Sequence, residues 1–554
     1  MNSRLLAFRT ALLVALCNAA IPSYSLDIQD PAGQLLQARK ASDEKQFQAS
    51  IGHYEKAIAI NATQSGVWDE YAQACYNAKE YTKAIVAFKK AYELGSGFLG
   101  SNEYQIGACY CLMGQKELGM AWVKKSFDAG FRSLGSFVRD PDFNSLHNLP
   151  QFKKLMGTVE GKLSRVEGWR HDLRFLTREL TRIHYSPYSR VSKTEFWRRV
   201  EQCSKDIPRL NDDQIKVRLM QFAQLMGDGH TELWSPYAGV GFAALPVRFY
   251  DFDDGTFITE AEPAYESLLG SRIVSIDGKP LAEVNKALDS VISRDNTSWT
   301  RFIAPRMLRC TNLLFGLGVT AKRDSLRLKI NTASGEEKTV VMASRPEPEN
   351  PKLSRIQSPF ENDGPLSFRR QGEPYWFDHV PDRNAVYFAF NGVRNAEKES
   401  LLAFCDRLFA DLKAQPVQRL VIDMRRNGGG SNRILKPLLN GLVEAERQGS
   451  FKTLVILIGR NTFSAAMNAA AQIERSCSPI FIGEPTGTRP NFVGESASIK
   501  LPWSGLQASV SDLFWQNASS DDYRQWIAPT VLSGPKFSEF SKGRDHALEL
   551  AFDK

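Results

Sequence analysis

The apolar positions along the chain change period several times, and each change marks a different kind of element. Between residues 30 and 135 they recur at helical spacing, and the pattern repeats itself. Tyr54 opens the string YEKAIAIN, Phe88 opens FKKAYELG 34 residues later, and Val123 opens VKKSFDAG after 35 more. The tripeptide at Ala74 returns at Ala108, again 34 residues on. From Trp169 to about Met226 the pattern is helical, with Leu173, Leu176, Leu180 and Ile183 at three- and four-residue spacing. Ser186-Pro187 breaks it, and a second helix is expected from Lys193 into residues 221–226. That helix stops at Gly227-Asp228-Gly229, which leaves His230 just beyond its end. Residues 243–345 read as short alternating strands, with a helix expected at 281–292. After a connector at 345–371, strands expected at 385–390, 420–424 and 454–458 alternate with helices at 398–412 and about 432–446, and a further helix begins at Ser464. Such strand–helix alternation predicts a layered α/β core.

A period of 34 residues, with small residues where two helices must approach, resembles the tetratricopeptide repeat. Three copies are roughly the minimum for a stable stack, and such a stack offers a groove to a protein partner. Cys75 and Cys109 then read as small packing residues. The string from Leu268 to Leu281, LLGSRIVSIDGKPL, is similar to the centre of a PDZ domain, a module that adds peptide C-termini to a sheet edge.

Composition narrows the setting. Hydrophobic residues make up 43% and charged residues 24% of 554, ordinary for a folded chain of several domains. Arg4 and Arg9 precede an apolar stretch from Ala11 to Ala20, and small residues follow at Ser23 and Ser25. This order predicts a signal peptide over residues 1–25 and an exported, periplasmic or extracellular, mature chain. Cys17 follows the bulky Leu16, which argues against lipidation, and no later run is long enough to span a membrane. The net charge of +8 is concentrated in residues 153–220, where 16 Lys/Arg face 9 Asp/Glu, and reads as a solvated helical surface. Eight scattered cysteines give neither a disulfide framework nor a zinc pair. No phosphate loop, metal cluster or nucleic-acid motif is present, so no cofactor is implied.

The candidate chemistry lies in the C-terminal half. Ser464 stands where a strand turns into a helix, a place that suits a helix cap and equally a nucleophile beside exposed N–H groups. The glycines 428–430 follow a buried strand, and glycine alone lets backbone N–H groups approach a substrate carbonyl closely.

The segments GDGHT at 227–231, RLVIDMRRNGGG at 419–430, TFSAA at 462–466 and FIGEPTG at 481–487 occur in this order. Together they resemble the blocks of the tail-specific (C-terminal-processing) serine protease family, over about residues 170–554. The resemblance implies a multidomain α/β protein: helical repeats at 30–140, a helical segment at 155–240 carrying His230, a PDZ-like module at 241–345, and a crotonase-like ββα core at 346–554. It implies an endopeptidase acting on protein or peptide substrates, with Ser464 as nucleophile and the N–H groups of Ala465 and Gly430 as oxyanion hole. The Ser-Lys branch of the family carries a lysine where this chain has Arg489, and an arginine stays protonated. The chain therefore looks like the tricorn-like branch, with His230 as base; His184 is a distant second. Asp522, or alternatively Glu495, is the candidate third group. A catalytically inactive binding protein on the same fold, for a peptide, lipid or retinoid-like ligand, is the rival reading. A scaffold built on the repeats and the PDZ-like module is another.

Overall fold

The computed structural model describes residues 30–233, 242–346 and 352–553. The signal peptide expected over residues 1–25 lies outside them. The chain divides into two compact units, residues 1–156 and 157–554.

The first unit is built from helical hairpins. Pro31–Asp43 pairs with Phe47–Ile60, Ser65–Asn77 with Tyr81–Glu93, and Ser101–Leu112 with Lys116–Asp128. The repeated positions form its core: Tyr54, Phe88 and Val123 are buried, as are Ala74, Cys75, Ala108 and Cys109. Burial pushes the Cys75 thiol up to about 11 and Cys109 to about 12, which suits inert packing groups. The unit is a helical repeat of the expected kind.

In the second unit, the helix Arg165–Ile183 starts at a capping box formed by Ser164 and Glu167. The single helix expected from Lys193 is in fact two, Lys193–Asp206 and Asp212–Gln224. Pro208, which has no N–H to donate, sits in a 3₁₀ turn between them, and Asn211 restarts the helix with a capping box of its own. The next module is a seven-stranded antiparallel sheet whose main path runs Val247–Phe252, Gly255–Ala261, Arg272–Ile276, Ser325–Asn331, Glu337–Ala343. Its helix, Leu281–Asp289, is three residues shorter than the pattern suggested.

The core sheet has six strands in the order Val531–Leu532, Pro479–Gly483, Phe451–Ile458, Val417–Asp423, Ala385–Phe390, Tyr375–Val380. All neighbours are parallel except the last pair. Both faces are covered, which explains why these strands read as continuous apolar runs. Val386, Phe388, Leu420, Ile422, Leu454 and Ile456 pack with Leu401–Ala414, Lys436–Arg447 and Ala465–Ser476 on one side. Tyr387, Ala389, Val421, Val455 and Leu457 alternate onto the other side, against His546–Asp553. An antiparallel ribbon, Asn491–Lys500 with Gln507–Gln516, leaves the core and bridges through Ser509 to Glu232. Among the described residues no helix is long and apolar enough to cross a membrane.

Candidate active site

The strand Phe451–Ile458 ends in a turn that is stitched to its neighbour. Thr462 Oγ1 donates to the Met424 carbonyl at 3.1 Å, Asn461 Nδ2 to the Arg426 carbonyl at 2.8 Å, and Phe463 N–H to the Asn427 carbonyl at 3.2 Å. This turn delivers Ser464 to the N-terminus of the helix Ala465–Ser476 with φ 55° and ψ −125°. A non-glycine residue in such a conformation carries strain of about 1–3 kcal/mol. The side chain offers no compensation, because Ser464 makes no capping hydrogen bond. The alanines at 465, 466, 469, 470 and 471 are all fully buried, which lets the helix press against the sheet and fixes where the serine stands.

The glycine loop lies against it. Buried Asn427 donates through Nδ2 to the Phe390 carbonyl at 2.9 Å and accepts the Gly429 N–H on Oδ1 at 3.0 Å. Gly429 has φ 106°, and a Cβ there would come within 2.7 Å of Ser464 Cβ and 2.8 Å of Ala465 N. Gly430 has φ 139°, and a Cβ would fall 2.1 Å from the Val393 carbonyl oxygen. Among the described residues, the N–H groups of Gly430 and Ala465 have no hydrogen-bond partner. Two free donors therefore flank a serine at the positive end of a helix, an arrangement suited to an oxyanion.

His230 stands beside this turn. Its ring stacks on Phe463 at 4.4 Å between centroids and on Phe492 at 5.5 Å, and Trp299 covers the far face of Phe463 at 4.0 Å. Both ring nitrogens are buried and neither has a hydrogen-bond partner. Burial pulls the imidazole down to about 4, against a smaller upward pull from Asp228. The ring is thus neutral at physiological pH, and in this arrangement it is stacked rather than bonded to Ser464.

No protein-family model and no curated protein matches the chain. Solved structures do. Mature CPAF in complex with lactacystin superposes with a TM-score of 0.50 at 14% identity, over 70% of this chain and 97% of that one. The photosystem II D1 C-terminal processing protease covers 68% of this chain and 98% of its own at 15% identity, with a TM-score of 0.33. The fold is that of the tail-specific proteases.

Within this tail-specific protease fold, the residue that could hold His230 in place is one the sequence reading passed over. Asp228 is buried, and its Oδ1 accepts the backbone N–H groups of His230 at 2.8 Å and Thr231 at 2.7 Å and the Ser511 hydroxyl at 2.9 Å. Its Oδ2 meets His184 Nε2 at 2.9 Å. His184 Nδ1 accepts the Ser186 N–H, so Nε2 carries the proton and donates to Asp228. Burial alone would raise the Asp228 carboxyl, but the His184 hydrogen bond and the neighbouring imidazoles hold it below its ordinary value. Asp295 completes the cluster. Its Oδ2 accepts Thr488 Oγ1 at 2.6 Å and the Gly229 N–H at 3.3 Å, and burial, with Asp228 nearby, pushes it up to about 7. Nothing local in the sequence joins these residues; they lie on five separate segments.

The structure does not bring Asp522 to His230. Asp522 is paired with Arg524, which also grips Glu474, and that ion pair holds its carboxyl low. Glu495, at φ 59°, forms no bond to the imidazole either. Arg489 donates from its guanidinium to the Asp295 carbonyl at 3.2–3.3 Å, a positioning contact at the back of the cluster.

Proposed function

We propose that the chain is an exported serine endopeptidase of the tail-specific type, with Ser464 as nucleophile and His230 as general base. The observation that carries this reading is the strained, uncapped Ser464 between the free N–H groups of Ala465 and Gly430. Strain of that kind persists where the surroundings over-determine it, and here it turns the hydroxyl away from the cap it would otherwise make. In the reaction, Ser464 Oγ bonds to the substrate carbonyl carbon while its proton passes to the neutral His230 imidazole. The oxyanion is held by the two N–H donors. Collapse breaks the C–N bond, His230 returns the proton to the leaving amine, and water then hydrolyses the acyl-serine. The stacked imidazole must swing toward Ser464 Oγ to do this, and its unbonded nitrogens leave it free of any hydrogen bond that would have to break. Export rests on the charged, apolar, then small order of residues 1–25.

The same stacked His230, with no carboxylate on its ring, favours a second reading: a binding protein on this fold that no longer cleaves. Labelling of the intact chain by a fluorophosphonate probe separates the two. Labelling lost in Ser464→Ala, and blocked beforehand by lactacystin, with which CPAF forms a complex, supports the peptidase. An unlabelled, folded wild type that hydrolyses no protein substrate leaves the binding protein.

A further inference from the structure

A cavity of about 1880 Å³ opens within the second unit, at the carboxyl ends of the central parallel strands: Asp423, Ile458 and Gly483, each the last residue of its strand, line it. Open α/β sheets place their ligands at these strand ends. The volume exceeds the usual range for a small-molecule pocket, roughly 300–1,000 Å³, and suits an extended peptide of several residues. Eleven arginines and one lysine line it against eight Asp and Glu.

Much of that positive charge is already answered. Arg425 is held by Asp423 and Asp545, Arg460 by Glu484, and Arg301 by Asp251 and Asp253. Two guanidiniums are not: among the described residues, Arg394 and Arg426 have neither an ion pair nor a hydrogen bond from their side chains. Both sit on the segments that build the proposed oxyanion hole. Val393, just before Arg394, donates to the Gly429 carbonyl at 2.9 Å and accepts the Ser431 N–H at 2.8 Å. Arg426 immediately precedes Asn427, the residue that shapes the glycine loop. Arg394 and Arg426 are both exposed, and so open to an incoming carboxylate.

We infer that Arg394 and Arg426 capture acidic side chains of the substrate, so that the enzyme prefers peptide segments carrying two or more Asp or Glu close to the cleaved bond. This rests on the peptidase reading above and names its substrate class. An acidic stretch supplies a carboxylate to each guanidinium, whereas a chain terminus supplies one. With an extended peptide advancing about 3.3 Å per residue, groups flanking Gly430 reach side chains within a few residues of the scissile carbonyl.

The test uses the full chain and fluorogenic peptides that differ only in Asp/Glu against Asn/Gln near the cleaved bond, all C-terminally amidated. Wild type should show about a tenfold higher kcat/KM on the acidic peptide, equal to about 1.4 kcal/mol. The Arg394→Gln/Arg426→Gln variant should bring that ratio to about one. The Arg394→Glu/Arg426→Glu variant should invert it in favour of Lys-containing peptides, a result that misfolding cannot mimic. A wild-type ratio near one, or a ratio indifferent to charge reversal, overturns the inference. So does a preference for a polyanion such as heparin over every acidic peptide in competition. Anisotropy with the same peptides on Ser464→Ala reads the arginines without turnover. Selective binding of acidic peptides by Ser464→Ala, together with a folded wild type that cleaves none of them, refutes the peptidase reading and leaves the recognition in place.

Discussion

His230 and Asp295 lie on either side of Gly229 and are shifted in opposite senses, so their contributions to stability should oppose each other across one pH window. His230 falls to about 4 in the folded chain from an unfolded value of about 6.5. Between those values the unfolded chain holds a proton that the folded chain does not, so this residue makes stability rise with pH. Asp295 rises to about 7 from about 3.9, so in the same window the folded chain holds the extra proton and stability falls with pH. Each slope is at most ~1.4 kcal/mol per pH unit, and over pH 4.5–6.5 each amounts to at most ~3 kcal/mol. In the wild type the two nearly cancel. Substituting one exposes the other. His230→Phe continues the ring stack with Phe463 and Phe492, and relative to wild type its stability should fall with rising pH by up to ~1.4 kcal/mol per unit. Asp295→Asn keeps an acceptor for Thr488 and Gly229, and its stability relative to wild type should rise by a similar slope. Urea unfolding at half-unit steps, followed by near-ultraviolet circular dichroism, measures both differences, and all other titrating groups drop out by subtraction. Parallel curves for variant and wild type, or two slopes of the same sign, would show that these groups are not buried as described.

Ser464→Gly should abolish turnover yet raise stability by about 1 kcal/mol, because glycine adopts φ 55° and ψ −125° without strain; Ser464→Ala should lose activity with no such gain, as thermal melts will show. Gly429→Ala should cost at least 10²-fold in kcat/KM and lower the melting temperature, since its methyl would meet Ser464 Cβ at 2.7 Å. Asp228→Asn puts an NH₂ donor or a weakened acceptor against the N–H of His184, and should cut kcat by about 10–100-fold while KM changes little in steady-state assays.

Much of the framework was legible because it is written in local pattern. The 34-residue period marked the helical hairpins, and the two-sided burial of the core strands left apolar runs too strong to miss. Ser464 could be placed at a helix start because a strand, a turn and a helix start are short-range signals, whereas its grouping with Gly430 and Ala465 came from the resemblance of the sequence blocks to the tail-specific protease family. The helix expected from Lys193 was drawn through Pro208 because apolar spacing continues on either side of it. What escaped is long-range. Asp228 binds Ser511 across 283 residues, and Thr488 reaches Asp295 across 193. An acidic residue two before a loop histidine and another in an Asp-Asn pair have no signature of their own. Asp522 was nominated from its offset before Pro529, but distance along the chain does not reveal that Arg524 takes up its charge.

The grip of Ser511 on Asp228 and Thr231 has a consequence for how the protein is made. Synthesis runs from residue 1 onward, so the loop bearing His230 emerges long before the ribbon strand Gln507–Gln516 that clasps it. Ser464, too, leaves the ribosome ahead of that strand. A nascent chain carrying every candidate catalytic group still lacks the brace that holds them in register. Any cutting power therefore arrives only once that later strand has been made and has closed over Asp228 and Thr231.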